Sequence, residues 1–159
     1  MRILSIDPGY QKVGIAIIEK NKGQKENLIY SDCFKTSAEI PHYERIKKIG
    51  EEIKSVIKKH KPEALSIETL FFNTNQKTST KVSEARGVII YEASVADLSI
   101  HEYTPLQIKI AVTGYGRGDK KQVISLVHRL INIDKKIKED DEYDAIACGL
   151  TFFAYNKNP

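Results

Sequence analysis

The sequence predicts an α/β protein with a mixed five-stranded sheet that helices cover on both faces. Three observations support this: three strand patterns come first, helical and strand patterns alternate after them, and the first strands are almost wholly apolar. Strands buried on both faces are apolar throughout, and helices that alternate with strands are typical of crossover connections. The 159 residues have about the length of one ordinary domain, so we expect a single domain over 1–159.

The predicted elements follow one another without a linker or an internal repeat. The first two strands, 2–7 and 13–19, form a hairpin around a turn that contains Pro8 and Gly9, and the third covers 27–34. From 41 to 60 apolar residues recur three and four apart, with lysines mostly on the opposite side, which predicts an amphipathic helix that Pro62 ends. The remaining predicted elements are a strand at 64–68, a helical stretch after 76 to about residue 96, a strand at 99–103, and helices at 105–112, 120–131 and 141–155.

Composition and charge narrow the class of protein. The 25 Lys and Arg residues outnumber the 21 Asp and Glu residues, giving a net charge of +4, and the acids concentrate in 139–144. A basic protein with one acidic site suits a polyanionic partner. The longest nearly apolar stretch, 145–155, is shorter than the roughly 18 residues of a membrane span, and no signal-peptide core is found, so we expect a cytoplasmic protein with no membrane contact. Cys33 and Cys148 lie far apart, which disfavours a disulfide scaffold and a structural zinc site.

Two of the predicted strands end alike, in a carboxylate. Ser5 precedes Asp7 by two residues, and Ser66 precedes Glu68 by two. Strand side chains alternate between faces, so each serine shares a face with its acid. If the two strands are parallel neighbours, Asp7 and Glu68 meet at the carboxyl edge of the sheet, where α/β proteins bind ligands. The alternative is that each acid only begins a polar turn.

A third acidic element opens the last predicted helix. Asp141 and Asp144 are three residues apart and would lie on one helical face. The alternative is that they cap the helix and complement its dipole, and the neighbouring Asp140 leaves the choice of ligand open by one position. Carboxylates that gather without cations resist joint ionisation, a cost that divalent metal ions remove. Mg²⁺ prefers oxygen ligands, and two such ions can promote hydrolysis of a phosphodiester.

Further motifs accompany these acids along the chain: Asp7-Pro8-Gly9 with Gly14, Ile67-Glu68 followed by Leu70-Phe71-Phe72, Glu84-Ala85-Arg86-Gly87-Val88, and Asp141-x-x-Asp144-Ala145. In this order they resemble the RuvC family of bacterial Holliday junction resolvases, endonucleases of the RNase H-like superfamily. The resemblance runs from about residue 2 to 153 and implies an RNase H-like fold. It also implies that the four acids are catalytic and bind metal, with two Mg²⁺ ions per site and Mn²⁺ as a substitute.

The resemblance also implies the activity and the partners. The family acts as a homodimer that nicks a four-way DNA junction symmetrically, leaving 5′-phosphate ends, in recombination and repair together with RuvA and RuvB. An aromatic at Phe71 would stack on a base, Lys109 and Lys120 would lie near the scissile phosphate, and we expect Arg86 and the basic, glycine-rich segment around Arg117 to contact DNA. The alternatives are a nuclease that cuts RNA or RNA:DNA hybrids, and a junction-binding module without catalysis.

Overall fold

The described residues form a five-stranded sheet and five helices. A computed structural model describes residues 1–70, 76–116 and 118–156. The strands are β1 (Arg2–Asp7), β2 (Lys12–Glu19), β3 (Asn27–Lys35), β4 (Ala64–Glu68) and β5 (Ser99–Tyr103). The helices are α1 (His42–His60), α2 (Gln76–Val95), α3 (Pro105–Thr113), α4 (Lys120–Leu130) and α5 (Asp140–Tyr155).

The sheet is mixed, as predicted. Its strand order is β3-β2-β1-β4-β5, and β1 pairs antiparallel with β2 but parallel with β4. The pair of β4 with β5 is also parallel. In the β1–β4 register Ser5 lies opposite Ser66 and Ile6 opposite Ile67, so the two strands reach the same edge of the sheet one residue later.

Side-chain alternation in the strands divides the core into two layers. Leu4 and Ile6 point to the face that α1 and α2 cover, whereas Ile3 belongs to the apolar cluster under α3, α4 and α5. Because alternate residues share a face, Ser5 and Asp7 point towards α5. The fold thus directs the carboxylate of β1 to the layer in which the last helix lies.

Helix boundaries follow local backbone chemistry. Pro41 is the residue before α1 and not its first member, and Lys61 adopts a left-handed conformation (φ 50°) that ends the helix before Pro62. Helices α3 and α4 begin with capping boxes, Thr104 with Gln107 and Asp119 with Gln122. Within the described residues, none of the helices is long and apolar enough to cross a membrane.

Candidate active site

Asp7 and Glu68 are neighbours at the carboxyl edge of the sheet. Each is the last residue of its strand, and the preceding residues Ile6 and Ile67 pair directly. Both side chains line one cleft of about 320 Å³. The prediction that the two acids meet is therefore confirmed, and it follows from the parallel pairing of β1 with β4.

Helix α5 lies close to this edge because the residues beneath it are small. A Cβ atom added to Gly149 would stand 2.7 Å from Ser5 Oγ, and Ser66 Oγ donates a hydrogen bond of 2.8 Å to the Cys148 carbonyl. The serines that precede the two strand acids are thus buried under the helix, Ser5 and Ser66 both being fully covered. Their small size lets α5 carry its own acids to the sheet.

Asp144 faces the cleft, and Asp141 lies beside it near β2. Asp144 lines the cleft together with Asp7 and Glu68. The backbone carbonyl of Asp141 lies so close to Gly14 that a Cβ atom there would be 2.0 Å from it and 3.1 Å from Asp7 Cβ. The absence of a side chain at Gly14 thus lets the first turn of α5 pack directly against β2.

Asp140, the alternative ligand, is bound to Lys120 and is more exposed than Asp141. Its carboxylate is largely exposed and lies 3.3 Å from Lys120 Nζ, whereas the side chain of Asp141 is 26% exposed. Asp141 also acts electrostatically on Asp7, and Asp140 does not figure among the groups that do. The geometry therefore favours Asp141 over Asp140 as the fourth acid.

Two lysines bring positive charge to the cleft. Lys109 of α3 and Lys120 of α4 both line it, and Lys120 Nζ lies 3.2 Å from the carboxylate of Asp144. Lys109 lowers the pKa of Glu68, a sign that its charge is close to that carboxylate. The remaining lining residues are Pro105, Ile108, Gly118, Asp119, Val123 and Ala147.

The pKa values show the cost of assembling these acids without a cation. Burial, and then the charges of Glu68, Asp144 and Asp141, raise the pKa of Asp7 to about 8 against the opposing effect of Lys120. Burial and Asp144 raise the pKa of Glu68 to about 7. The pKa of Asp144 is also raised, mainly by burial. At neutral pH the cluster holds protons unless cations neutralise it.

We expect the stability of the metal-free protein to fall as the pH rises between about 4 and about 8. Asp7, with a pKa of 3.8 when unperturbed and about 8 in the fold, keeps a proton in the native state that the unfolded chain has lost. Stability falls with pH wherever the native state binds more protons, so this contribution is greatest below the unfolded-state pKa and disappears as pH passes the folded one. Thermal unfolding across this range, with EDTA or with Mg²⁺, checks it.

The variant Asp7→Asn should flatten this pH dependence, and Mg²⁺ should stabilise the wild type more at pH 8 than at pH 5, because carboxylates must lose their protons to bind a cation. Asp97→Asn removes an exposed acid and serves as the control. Equal pH profiles for Asp7→Asn and wild type without metal would contradict the burial of this carboxylate.

Arg86 is bound to the protein beneath Glu68. Its side chain is only 16% exposed, and its Nε donates a hydrogen bond of 3.0 Å to the backbone carbonyl of Glu68. Its other end forms an ion pair with Glu102 of β5. These contacts hold the end of β4 in place, a role that the sequence pattern did not suggest.

The variant Arg86→Met is expected to lower the free energy of unfolding by about 1–3 kcal/mol, because it leaves the Glu68 carbonyl without its donor. Nuclease activity should fall about tenfold as the end of β4 loses its support. Thermal unfolding and DNA binding across a salt series check this, with Arg129→Met, an exposed arginine of α4, as control. A stable variant with weaker DNA binding and a smaller salt slope would instead assign Arg86 to a phosphate contact.

The glycine-rich segment before α4 is only partly described. Arg117 of this segment lies outside the described residues, as does Phe71 after β4, so their predicted DNA contacts remain predictions. Asp119 accepts a hydrogen bond of 2.8 Å from the Gln122 backbone N–H. The capping box therefore occupies this N–H group at the start of α4.

Sequence reasoning missed a group of residues behind Asp141. Glu139 binds both Lys12, at 2.7 Å, and Lys35, which lower its pKa to about 2. Ligand atoms of Cys33, Glu139 and Asp141 lie within 4.8 Å of one another, a spacing that could suit a metal ion. Burial raises the pKa of the Cys33 thiol to about 11, however, and the lysines already neutralise Glu139. This group therefore serves better as a structural contact.

Comparison with known proteins finds one family along nearly the whole chain. A family model described as "Crossover junction endodeoxyribonuclease RuvC" matches residues 3–152. The protein of that name from Thermosipho melanesiensis is 44% identical over 147 residues, covering 92% of this chain and 93% of the relative. The one from Halothermothrix orenii is 43% identical over 150 residues, covering 94% and 90%.

Solved structures show the same fold. T. thermophilus RuvC in complex with a Holliday junction substrate superposes with a TM-score of 0.92 at 28% identity, covering 99% of this chain and 95% of that one. The yeast mitochondrial Holliday junction resolvase Ydc2 superposes with a TM-score of 0.70 at 12% identity, covering 96% and 78%, which supports the fold alone.

Proposed function

The chain belongs to the RuvC family of crossover junction endodeoxyribonucleases, and from this premise we propose that it resolves Holliday junctions by paired, symmetric nicks during recombination and repair. The observation that carries the proposal is that acids from three elements meet at one cleft: Asp7 of β1, Glu68 of β4 and Asp144 of α5 line it, and Asp141 of α5 lies beside it. Such a cluster is costly to a metal-free protein, and it suits phosphodiester hydrolysis.

Divalent cations fit the chemistry of this donor set. All four side chains offer carboxylate oxygens, which hard ions such as Mg²⁺ prefer, and three of them have raised pKa values that a cation would reverse. We assign two Mg²⁺ ions to the site, with Mn²⁺ as a substitute. When bound, such ions supply an activated water and stabilise the oxygen that leaves the phosphorus.

The residues of the chain have separate roles in holding the cations and the substrate phosphate. Asp7, at the centre of the cluster, and Glu68 anchor the ligand set to the rigid sheet, while Asp144 and Asp141 close it from α5. Glu68 also orients the ligand set. Lys120, paired with Asp144, is placed to exchange that partner for a phosphate oxygen of the substrate. Lys109 stands on the other side of the cleft beside Glu68 and can hold the same phosphate group.

DNA contacts beyond the cleft follow from charge and family. A net charge of +4 favours a polyanionic substrate. Phe71 and Arg117 belong to the segments that flank the cleft in sequence, after β4 and before α4, and we propose that they meet the junction there. Weaker DNA binding with a smaller salt slope in Arg86→Met would add Arg86 to these contacts.

We propose that the protein works in the cytoplasm as a homodimer, with RuvA and RuvB as partners. Symmetric nicking needs two active sites, and the described chain holds one. Light scattering on the purified protein should give twice the mass of 18.0 kDa. A monomer at working concentration would contradict paired nicking.

A cleavage assay tests the function directly. A synthetic four-way DNA junction, a linear duplex of the same sequence and an RNA:DNA hybrid are each incubated with Mg²⁺. Symmetric nicks in the junction alone, with 5′-phosphate ends, are expected. Cleavage of the hybrid would favour an RNase H-type nuclease, which reads 2′-hydroxyl groups, and tight binding without a cut would mean a junction-binding module.

A further inference from the structure

Helix α5 begins without the side-chain cap that fixes the starts of α3 and α4. Its flanking residue, Glu139, makes no capping hydrogen bond, whereas Thr104 and Asp119 both form capping boxes. Caps satisfy the free N–H groups of a first turn and fix how the chain enters the helix. Yet α5 carries Asp141 and Asp144, so its orientation at this end matters more than that of its neighbours. Other contacts must set it.

The first of these contacts is a buried carboxylate. Glu142 is only 6% exposed, and its Oε2 accepts hydrogen bonds from Ser31 Oγ at 2.8 Å and from Lys135 Nζ at 2.6 Å. Lys135 Nζ also donates to the Ser31 carbonyl at 2.5 Å. One carboxylate thus joins α5 to β3 and to the connection that precedes the helix. Breaking a buried pair leaves an uncompensated charge, so this carboxylate holds its partners in a fixed geometry.

The second contact is made by the residue directly before the helix. Glu139, three residues before Glu142, binds Lys12 of β2 and Lys35 of β3. Asp144 is two residues beyond Glu142, which in a helix is about 200° around the axis. The Glu142 side of the first turn is therefore bound to β3 and the Asp144 side faces the cleft, while Asp141, whose carboxylate lies 3.9 Å from Lys12 Nζ, is beside the cleft next to β2.

We propose that Glu142 is a positioning residue. Held by Lys135 and Ser31, it fixes the rotation of α5 about its axis and so directs the two aspartates of that helix into the metal site. Glu139 supports it by fixing the segment in front of the helix. The inference rests on the proposed function, because it assigns to these contacts the placement of the acids that would bind Mg²⁺.

The variant Glu142→Gln keeps the shape of the side chain and removes its charge. The affinity of the protein for Mn²⁺, measured by calorimetric titration without DNA, is expected to fall about tenfold, as it does when partners that orient metal ligands are removed. Lys135→Met should have the same effect, and the double variant should be no worse than either, because the two side chains act as a unit. The Mg²⁺ concentration for half-maximal cleavage should rise in parallel.

Glu26→Gln is the matched control. Glu26 binds Lys20 at 2.7 Å and is 20% exposed. It lies in the β2–β3 connection, at the end of the strands opposite to the acids. It should lower the melting temperature without changing Mn²⁺ affinity. Unchanged Mn²⁺ affinity in Glu142→Gln, or an equal loss in Glu26→Gln, would overturn the positioning role.

Asp7→Asn separates this inference from the function on which it rests. Loss of Mn²⁺ binding in Asp7→Asn with normal binding in Glu142→Gln overturns only the positioning role. Normal Mn²⁺ binding in Asp7→Asn overturns the metal site itself, and with it the proposed function.

Discussion

Asp7→Asn is expected to slow junction cleavage by about a thousandfold or more while the folded protein still binds the junction. Asp7 experiences the strongest repulsion in the cluster, since the charges of three other acids raise its pKa. An amide keeps the shape of the side chain and loses the charge that would hold a cation. Single-turnover cleavage and a binding titration in EDTA measure the two effects separately.

Junction affinity should stay the same or increase, because removing a negative charge beside a phosphate lowers repulsion. The metal-free variant should also be more stable than the wild type at pH 8, where the native carboxylate of Asp7 begins to ionise. The control for the loss of one negative charge is Asp97→Asn, because Asp97 is an exposed acid in a turn. Loss of junction binding in a folded Asp7→Asn variant would contradict the catalytic role.

The sheet half of the site could be predicted because strands follow simple rules. Period-two alternation places Ser5 with Asp7 and Ser66 with Glu68, and apolar runs on both faces indicate a covered sheet. Parallel pairing of the two strands then makes their last residues neighbours. The sequence leaves this pairing as a condition, and the structure supplies it.

The helix half could not be resolved in the same way. Six residues from Glu139 to Asp144 include five acids, and spacing alone allows several pairs to share a face. Their roles depend on partners distant in sequence: Lys35 for Glu139, Ser31 for Glu142, and Gly14 for Asp141. Sequence patterns do not report such contacts.

Arg86 is a second case in which sequence patterns do not report a contact that decides a residue's role. The sequence predicts a DNA contact for Arg86, because an arginine in a basic protein that resembles a nuclease is suited to bind phosphate. Its charge and its place on a helix do not reveal that it is bound within the protein. Its partners are the Glu68 carbonyl, 18 residues away, and Glu102, 16 residues away. Only the packing of α2 on the ends of β4 and β5 reveals them.

Gly14→Ala is expected to reduce cleavage about a hundredfold although residue 14 carries no functional group. The added Cβ atom would lie 2.0 Å from the carbonyl oxygen of Asp141, where contacts below 3.0 Å do not occur, so the first turn of α5 must retreat by about 1 Å. A displacement of this size in a catalytic group costs about a hundredfold in rate. The overpacking should also lower the free energy of unfolding by about 1–3 kcal/mol.

Gly87→Ala is the matched control, because a Cβ atom at Gly87 meets nothing within 4 Å and an alanine inside α2 favours the helix by up to about 1 kcal/mol. Cleavage rates, melting temperatures and Mn²⁺ affinities of the two variants are compared with the wild type. Gly14→Ala should lose Mn²⁺ affinity together with activity, since Asp141 leaves the cluster when the turn retreats. A Gly14→Ala variant with full activity would mean that Asp141 does not need this approach to β2, and that Asp7, Glu68 and Asp144 suffice for the metal site.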